Sequence, residues 1–252
     1  MLHRLVGISL SDSKQPMVGS RLAKRIRQYR LGSYGEYFEL LRQQPDELQM
    51  AIDLLTTNET YFFREPKHFD FLCEQALPGL AARTSVRVWS AACSSGEEPY
   101  SIAMVMAEVL GERPWEVVAS DISRRVLDKA QAGLYPLECA AGIPSPLLHK
   151  YCLKGVGTRE GSFMVAPALR SRLRFLQVNL NGALPQIGQF DVVFLRNVMI
   201  YFDLDTKRQV VQRMLPLLRP GGYFVVSHSE SLNGVSDALQ PVAASVYRKP
   251  HV

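Results

Sequence analysis

From about residue 86 onward, short apolar runs alternate with stretches of helical periodicity. The runs are VRVWSAA (86–92), EVVASDI (116–122), LRFLQVN (173–179), FDVVFLRN (190–197) and GGYFVVSHS (221–229), with VYRK near the end as another. This rhythm restricts the chain more than any other feature in it. Apolar strands separated by helical segments predict a mostly parallel sheet with crossover helices. Three of the runs finish in polar residues, and open α/β sheets bind ligands outside the carboxyl ends of their strands. Cys93 to Glu98, Asp121, Asn179 and Arg196–Asn197 are therefore expected along one edge. Between Tyr135 and Arg172 the rhythm breaks into a stretch containing Pro and Gly, with YCLKGVGTREGSFMVA, which predicts a hairpin-bearing insertion at about 136–172.

Residues 1–57 follow a different, helical pattern. In SDSKQPMVGSRLAKRIRQYR, Ser or Asp can cap and Pro16 suits a first turn, while Val18, Leu22, Ile26 and Tyr29 form one apolar stripe. SYGEYFELLRQQ and PDELQMAIDLL read as two further amphipathic helices. The expected organisation is a helical domain over 1–57, a linker over 58–85 that contributes to the active site, and an α/β domain over 86–252. The 252 residues, 47% of them hydrophobic and 21% charged, suffice for a real core and exclude a disordered or fibrous chain. No apolar run approaches the ~20 residues needed to span a bilayer, and the start lacks a signal-peptide pattern, so a cytoplasmic protein is expected. Cys73, Cys93, Cys139 and Cys152 lie far apart without CxxC spacing, which supports neither a zinc site nor a disulfide framework.

A net charge of +5 taken alone points to a polyanionic partner, nucleic acid included. Its location matters more. The first 35 residues hold seven basic residues against one acid, whereas the remainder is nearly neutral. Arg21, Lys24, Arg25 and Arg27 fall beside or opposite the apolar stripe. The plain reading of such a run is a solvated basic face, and the alternative is a docking face for an acidic surface.

SAACSSGEEPYSIAMVMAEVL sits where the first strand turns into the first crossover helix, a place where small residues let a ligand approach the backbone and the helix N-terminus. It is not a GxGxxG loop. With Gly96 alone a pyrophosphate is poorly cradled, and Glu97–Glu98 repel phosphate, which favours a ligand with positive charge or hydroxyl donors. Asp121 lies about 20 residues on, at the end of the next strand, where an acid typically accepts from a ribose diol. An adenosine with a cationic, phosphate-free tail, that is S-adenosylmethionine, fits both features. A nicotinamide enzyme and a plain helix-capping role for the acids remain open on this pattern. Cys93 precedes no Cx₅R loop and no GxSxG elbow is present, so a buried structural thiol is expected. His68 and His228 lack metal-site spacing and no metal is predicted. NVMIYF lacks the two prolines of the turn that amino-methyltransferases carry, which disfavours methylation of a nucleic-acid amine.

Five segments in order, TTNETYFFREPKHF (56–69), VWSAACSSGEEPYSIA (88–103), ASDISRRVLDKAQAGLY (119–135), FDVVFLRNVMIYFD (190–203) and PGGYFVVSHSESL (220–232), closely resemble the CheR family of chemotaxis receptor methyltransferases. The resemblance implies a Rossmann-like methyltransferase domain with a small β-subdomain insertion, preceded by a small all-helical domain. It implies methyl transfer from S-adenosylmethionine to glutamate side chains on the cytoplasmic helices of chemoreceptors, with S-adenosylhomocysteine as product. It assigns Asn58, Thr60 and Arg64 to the cofactor and reacting centre, Glu98 to the cofactor's amino-acid end and Asp121 to its ribose. Asn179–Leu180 would flank the adenine, and Arg196, Asn197 and Tyr201 would close the pocket around the sulfonium, with Arg64 and Tyr201 as the catalytic pair. Glu97 is kept as a helix-start acid, and Phe62, Phe63 and Phe69 as core. Ser123 departs from the family's frequent Asp two residues after the ribose acid.

The basic helix then gains a partner in acidic receptor helices, and Gly155, Gly157 and Gly161 match a loop that in some members binds a tether peptide at the receptor C-terminus. A monomer recruited to membrane receptor arrays, with no nucleic-acid partner, is expected. The competing expectations are a methyltransferase of RNA or of another protein, and a cofactor-binding module without turnover.

Overall fold

A computed structural model describes residues 2–9 and 12–251. The helical part comprises α1 (Leu2–Val6), α2 (Gln15–Gln28), α3 (Tyr34–Gln43) and α4 (Pro45–Leu55). Leu22, Tyr37, Leu41, Ala51 and Leu55 form its core, and Val18, Ile26 and Tyr29 of the expected stripe pack against it. Ser33 caps α3 by accepting from the Glu36 amide, and Pro45 starts α4 at a position whose N–H has no intrahelical partner. Of the caps expected at the start of α2, the Asp12 side chain lies outside the described part of the structure. Ser11 lies outside the described residues, and Lys14 holds the N-cap position without a side-chain hydrogen bond. The short helix α1 was not expected from the sequence.

α5 (Lys67–Phe71), a π turn at Leu72–Ala76 and α6 (Leu77–Gly79) lead into the sheet. Its strands are β1 (Val86–Ser90), β2 (Trp115–Asp121), β6 (Leu173–Gln177), β7 (Phe190–Phe194), β8 (Leu218–Val225), β9 (Gln240–Ala243) and β10 (Val246–Arg248), in the spatial order β6-β2-β1-β7-β8-β10-β9. The first five run parallel and the last two antiparallel. The crossover helices are α7 (Glu97–Leu110), α8 (Arg124–Ala132) and α11 (Leu204–Met214).

Neighbouring strand residues face opposite layers, so Val88, Val117 and Val192 pack under α7 with Tyr100, Ala103 and Met106, whereas Trp89, Val118 and Val193 pack against Val210, Val211 and Met214 of α11. Burial on both faces explains why the central strands β1, β2 and β7 are mostly apolar rather than alternating, whereas the edge strand β6 has no fully buried residue. The strands end before the sequence runs do, at Ser90, Asp121, Gln177, Phe194 and Val225, and the ends of the runs, polar in three of the five, lie in loops. The insertion is an antiparallel sheet of order β3-β5-β4, formed by β3 (Leu134–Pro136), β4 (Cys152–Lys154) and β5 (Ser162–Val165), and it carries the helices α9 (Ser145–Tyr151) and α10 (Pro167–Arg170). Strand β9 was also not expected, and all four of its residues are exposed at the sheet edge, where Pro241 costs no ladder bond.

Candidate functional site

The loops at the carboxyl ends of β1, β2, β6 and β7 enclose a cavity of about 560 Å³, within the range of pockets that hold small organic ligands. Asn58, Thr60, Arg64, Glu98, Asp121, Asn179, Leu180, Arg196, Asn197 and Tyr201, every residue assigned to cofactor or chemistry, line it. The topology accounts for this: β1 and β7 are adjacent, and β2 and β6 flank β1 on one side, so four separate loops converge. Segment 56–64 closes the cavity from the helical side.

Asp121 ends β2, and its carboxylate accepts from the Ser94 amide and the Ser123 amide, both at 2.9 Å. Burial pushes its pKa upward, opposed by these amide donors. A carboxylate offers about four acceptor sites, so two remain for a vicinal diol. Ser94 takes a left-handed φ of 48° in the turn after β1, and its hydroxyl donates to the Asn58 carbonyl, tying the 56–64 segment to that turn. Ser123 supplies only its amide, and its buried hydroxyl makes no hydrogen bond, so the departure from the family's frequent Asp leaves the Asp121 geometry intact.

Glu98, in the first turn of α7, accepts from the Ser90 hydroxyl at 2.7 Å and pairs with Arg196 at 2.9 Å. Burial pushes its pKa up, against the pull of Arg196. The Arg196 guanidinium also pairs with Glu65 at 3.2 Å and donates to the Arg64 carbonyl. Both terminal nitrogens of Arg196 are therefore engaged by the protein itself, although its buried Nε has no partner among the described residues, and the side chain braces the cavity wall. Glu65 was missed by the sequence reading. It accepts from the Asn197 side chain and the His228 amide, and these donors with Arg196 hold its carboxyl below the usual range despite burial. Glu230, also missed, accepts the amides of Asn197, Ile200 and Ser227. Among the described residues, four of the six non-glycine residues with positive φ are Phe63, Glu65, Ser94 and Asn197, all in segments that form this site. Such conformations cost of order 1–3 kcal/mol each and collect where function over-determines the backbone.

Arg64 differs from Arg196. It is half-buried, donates to the Glu59 carbonyl at 2.7 Å, lies over the Tyr61 ring, and among the described residues pairs with no carboxylate. Asn58 donates to the Thr56 hydroxyl. Asn179 is spent on the chain itself: its amide donates to the Leu5 carbonyl at 2.6 Å and its oxygen accepts from Asn181. The α1 segment is thereby pinned over the cavity, to which it contributes Val6, Ile8 and Ser9, with the Ser9 amide donating to the Tyr201 carbonyl. No periodicity in the sequence pointed to this. Glu97 turns away, accepting from Ser95, which fits a helix-start acid. Phe62 and Phe69 are core, and Phe63 is half-buried against it. Cys93 is buried, and burial drives its thiol pKa well up, so it is no nucleophile.

The basic helix divides. Arg25 is paired with the buried Glu47, which also accepts from Tyr37 and Tyr29, and Arg21 donates to the carbonyls of Leu54, Leu55 and Thr56 at the end of α4. Both hold the helices together. Lys24 and Arg27 remain exposed. Gly155, Gly157 and Gly161 shape the β4–β5 connection, with positive φ at Gly157 and Gly161. Strand β4 is the edge of the small sheet and exposes Leu153.

A parallel sheet whose first crossover turn presents acids instead of a phosphate cradle, with a buried carboxylate ending the neighbouring strand, has the architecture of a Rossmann-like enzyme and suits a phosphate-free nucleoside ligand such as S-adenosylmethionine. Comparison with known proteins specifies the family. Residues 58–248 match the CheR methyltransferase, SAM binding domain, and residues 1–56 match the CheR methyltransferase, all-alpha domain. The chain is 46% identical over 249 residues to chemotaxis protein methyltransferase 2 of Pseudomonas aeruginosa, covering 98% of this chain and 89% of that one. It is 42% identical over 252 residues to the chemotaxis protein methyltransferase of Escherichia coli, covering 98% and 87%. The chain belongs to the CheR methyltransferase family. No helix among the described residues is long and apolar enough to cross a membrane.

Proposed function

We propose that this protein methylates glutamate side chains on the cytoplasmic helices of chemoreceptors, forming methyl esters for sensory adaptation. The observation that carries the reading is the contrast between two arginines: Arg196 is paired with two carboxylates, Glu98 and Glu65, whereas Arg64 lines the same cavity with no carboxylate partner among the described residues. It is suited to bind a carboxylate that arrives from outside.

In this reading Asp121 holds the ribose, Asn179 and Leu180 flank the adenine, and Glu98, Asn58 and Thr60 hold the amino-acid end, with Tyr201 and Asn197 closing the wall. Bound S-adenosylmethionine supplies an electrophilic methyl on a good leaving group. A glutamate with a pKa near 4.3 is already ionised at neutral pH, so the protein needs no general base. What remains for the residues is alignment, and orientation alone is worth several kcal/mol. Arg64 must not hold the carboxylate so firmly that the ground state is favoured over the charge-dispersed transition state. Its stacking on Tyr61, its bond to Glu59 and its partial exposure temper that attraction.

Lys24 and Arg27 form the docking face toward acidic receptor helices, with Arg21 and Arg25 shaping it from within. The exposed edge of β4, turned by Gly155, Gly157 and Gly161, suits strand addition by a receptor tether peptide. The protein acts as a monomer in the cytoplasm, recruited to receptor arrays.

Transfer of radiolabelled methyl groups into receptor-containing membranes, followed by mild alkali, tests the chemistry. Methyl esters release volatile methanol and N-methyl groups do not, so alkali-stable label would sink the glutamate assignment. Arg64→Ala is expected to cut transfer by about 100-fold or more, the scale of losing one preorganised donor at a reacting centre, with folding preserved.

A further inference from the structure

His68 and His228, unrelated by spacing in the sequence, are brought together with Glu65 beside the cavity wall. One donor atom from each of the three lies within 4.8 Å of the other two. His68 is 1% exposed, yet neither of its ring nitrogens has a hydrogen-bond partner. A buried polar group left unpaired costs about 1–3 kcal/mol, and such groups are rare enough to need a reason. Its Nδ1 stands 3.4 Å from a Glu65 carboxylate oxygen, and its ring lies 4.6 Å from that of His228. His228 is exposed, so its imidazole is free to turn.

We propose that Glu65, His68 and His228 form a binding site for a borderline transition-metal cation of the Zn²⁺ class, through which the metal lowers affinity for the cofactor. Two imidazoles and one carboxylate are the donor set of open zinc sites, in which water takes the fourth position. Bonds of about 2.0–2.1 Å to a tetrahedral centre put donors roughly 3.3–3.5 Å apart. The His68–Glu65 separation already matches, and rotation of the exposed His228 ring closes the third side. Mg²⁺ and Ca²⁺ prefer oxygen donors and are poorly served here.

The Arg196 guanidinium, 3.2 Å from Glu65, opposes a cation at this place. It retains two other acceptors, Glu98 and the Arg64 carbonyl, when Glu65 turns to a metal. That exchange is also the route of control. Glu65 is bonded to Arg196 and Asn197, which line the cofactor cavity, so a metal that claims Glu65 loosens the wall.

Calorimetric titration of Zn²⁺ into the metal-stripped, untagged full chain tests the site without any methyl acceptor, so its outcome is independent of the glutamate assignment. One equivalent is expected to bind, with affinity reduced at least tenfold in His228→Ala, whose exposed position spares the fold, and likewise in His68→Gln. Binding of S-adenosylhomocysteine is expected to weaken by about 2- to 10-fold with Zn²⁺ present, the worth of one hydrogen bond, and not to respond in His228→Ala. Absence of stoichiometric binding, equal Zn²⁺ affinity in His228→Ala, displacement by equimolar Mg²⁺, or cofactor affinity indifferent to bound Zn²⁺ would each overturn the proposal.

Discussion

Replacing Asp121 by Asn separates what its carboxylate does for the fold from what it does for the ligand. The two amides that it accepts, Ser94 and Ser123, approach at 2.9 Å on opposite oxygens. An Asn side chain has one oxygen, so in either orientation its NH₂ confronts a backbone N–H. One buried amide is left without an acceptor, which costs about 1–3 kcal/mol of stability. If the two remaining acceptor sites hold the ribose diol, the variant also loses two bonds to a charged acceptor. At about 1.5 kcal/mol each this is ~3 kcal/mol, or roughly 150-fold in affinity. Calorimetry with S-adenosylmethionine and S-adenosylhomocysteine, alongside urea unfolding, reads both effects. The ligands share the ribose and differ in the sulfonium charge, so a hydrogen-bonding role predicts the same loss for both. A loss confined to the sulfonium ligand would show that Asp121 acts through charge instead, and affinity within twofold of the native protein would refute the assignment altogether.

Reversing the exposed charges with Lys24→Glu and Arg27→Glu is expected to raise the apparent KM for receptor, with the native protein's KM rising as salt is added; insensitivity to both would remove the docking face. By contrast Arg25→Glu breaks a pair whose acid is 3% exposed, and it should cost about 3–5 kcal/mol of stability in urea unfolding, with the KM effect secondary. Hydrogen bonds from Arg25, Tyr37 and Tyr29 hold the Glu47 carboxyl below its usual range against the opposing effect of burial. A lowered folded-state pKa stabilises above the unfolded value near 4.3, and that contribution disappears as pH falls through the folded value, so Glu47→Gln should flatten the acid limb of a stability–pH profile. Gly155→Ala would place a Cβ 2.0 Å from the Arg159 carbonyl oxygen, so binding of receptor C-terminal pentapeptides should be lost with cofactor affinity intact. Deleting residues 2–9 strips Val6, Ile8 and Ser9 from the cavity and should speed S-adenosylhomocysteine release in stopped-flow; an unchanged rate would deny α1 its covering role.

The parallel sheet was legible because its central strands β1, β2 and β7 are buried on both faces and therefore read as nearly unbroken apolar runs. The convergence of Glu98, Asp121, Asn179 and Arg196 on one cavity was legible from the strand ends of such a sheet, whereas Asn58, Thr60 and Arg64 precede the sheet and were assigned only through the family resemblance. What escaped depends on contacts without a local pattern. Glu65 reads as one more acid in NETYFFREP, and only the fold places it between Arg196, Asn197 and His228, from more than 130 residues away. The α1 segment has too few residues for a helical period to show, and Asn179 and Asn181 pin it from the other end of the chain. For Arg21 and Arg25, the sequence shows a basic face but not which members of it turn inward.

That division of arginines bears on the chemistry. Under the proposed reaction a sulfonium cation and a carboxylate anion combine into a neutral ester and a neutral thioether, so charge is dispersed as the barrier is climbed. Such a reaction gains little from a strongly charged site, because a field that binds one partner repels the other. The cavity wall reflects this constraint: Glu98 and Glu65 share Arg196, and Asp121 stands with Arg64, which leaves one net negative charge among these five groups to meet one cation. Had Arg196 been free as well, a second cation would repel the cofactor and grip the incoming carboxylate too tightly. Bracing it with two acids removes that charge from the proposed reaction while its terminal nitrogens hold the wall, and in that proposal Arg64 alone is left to select the acceptor.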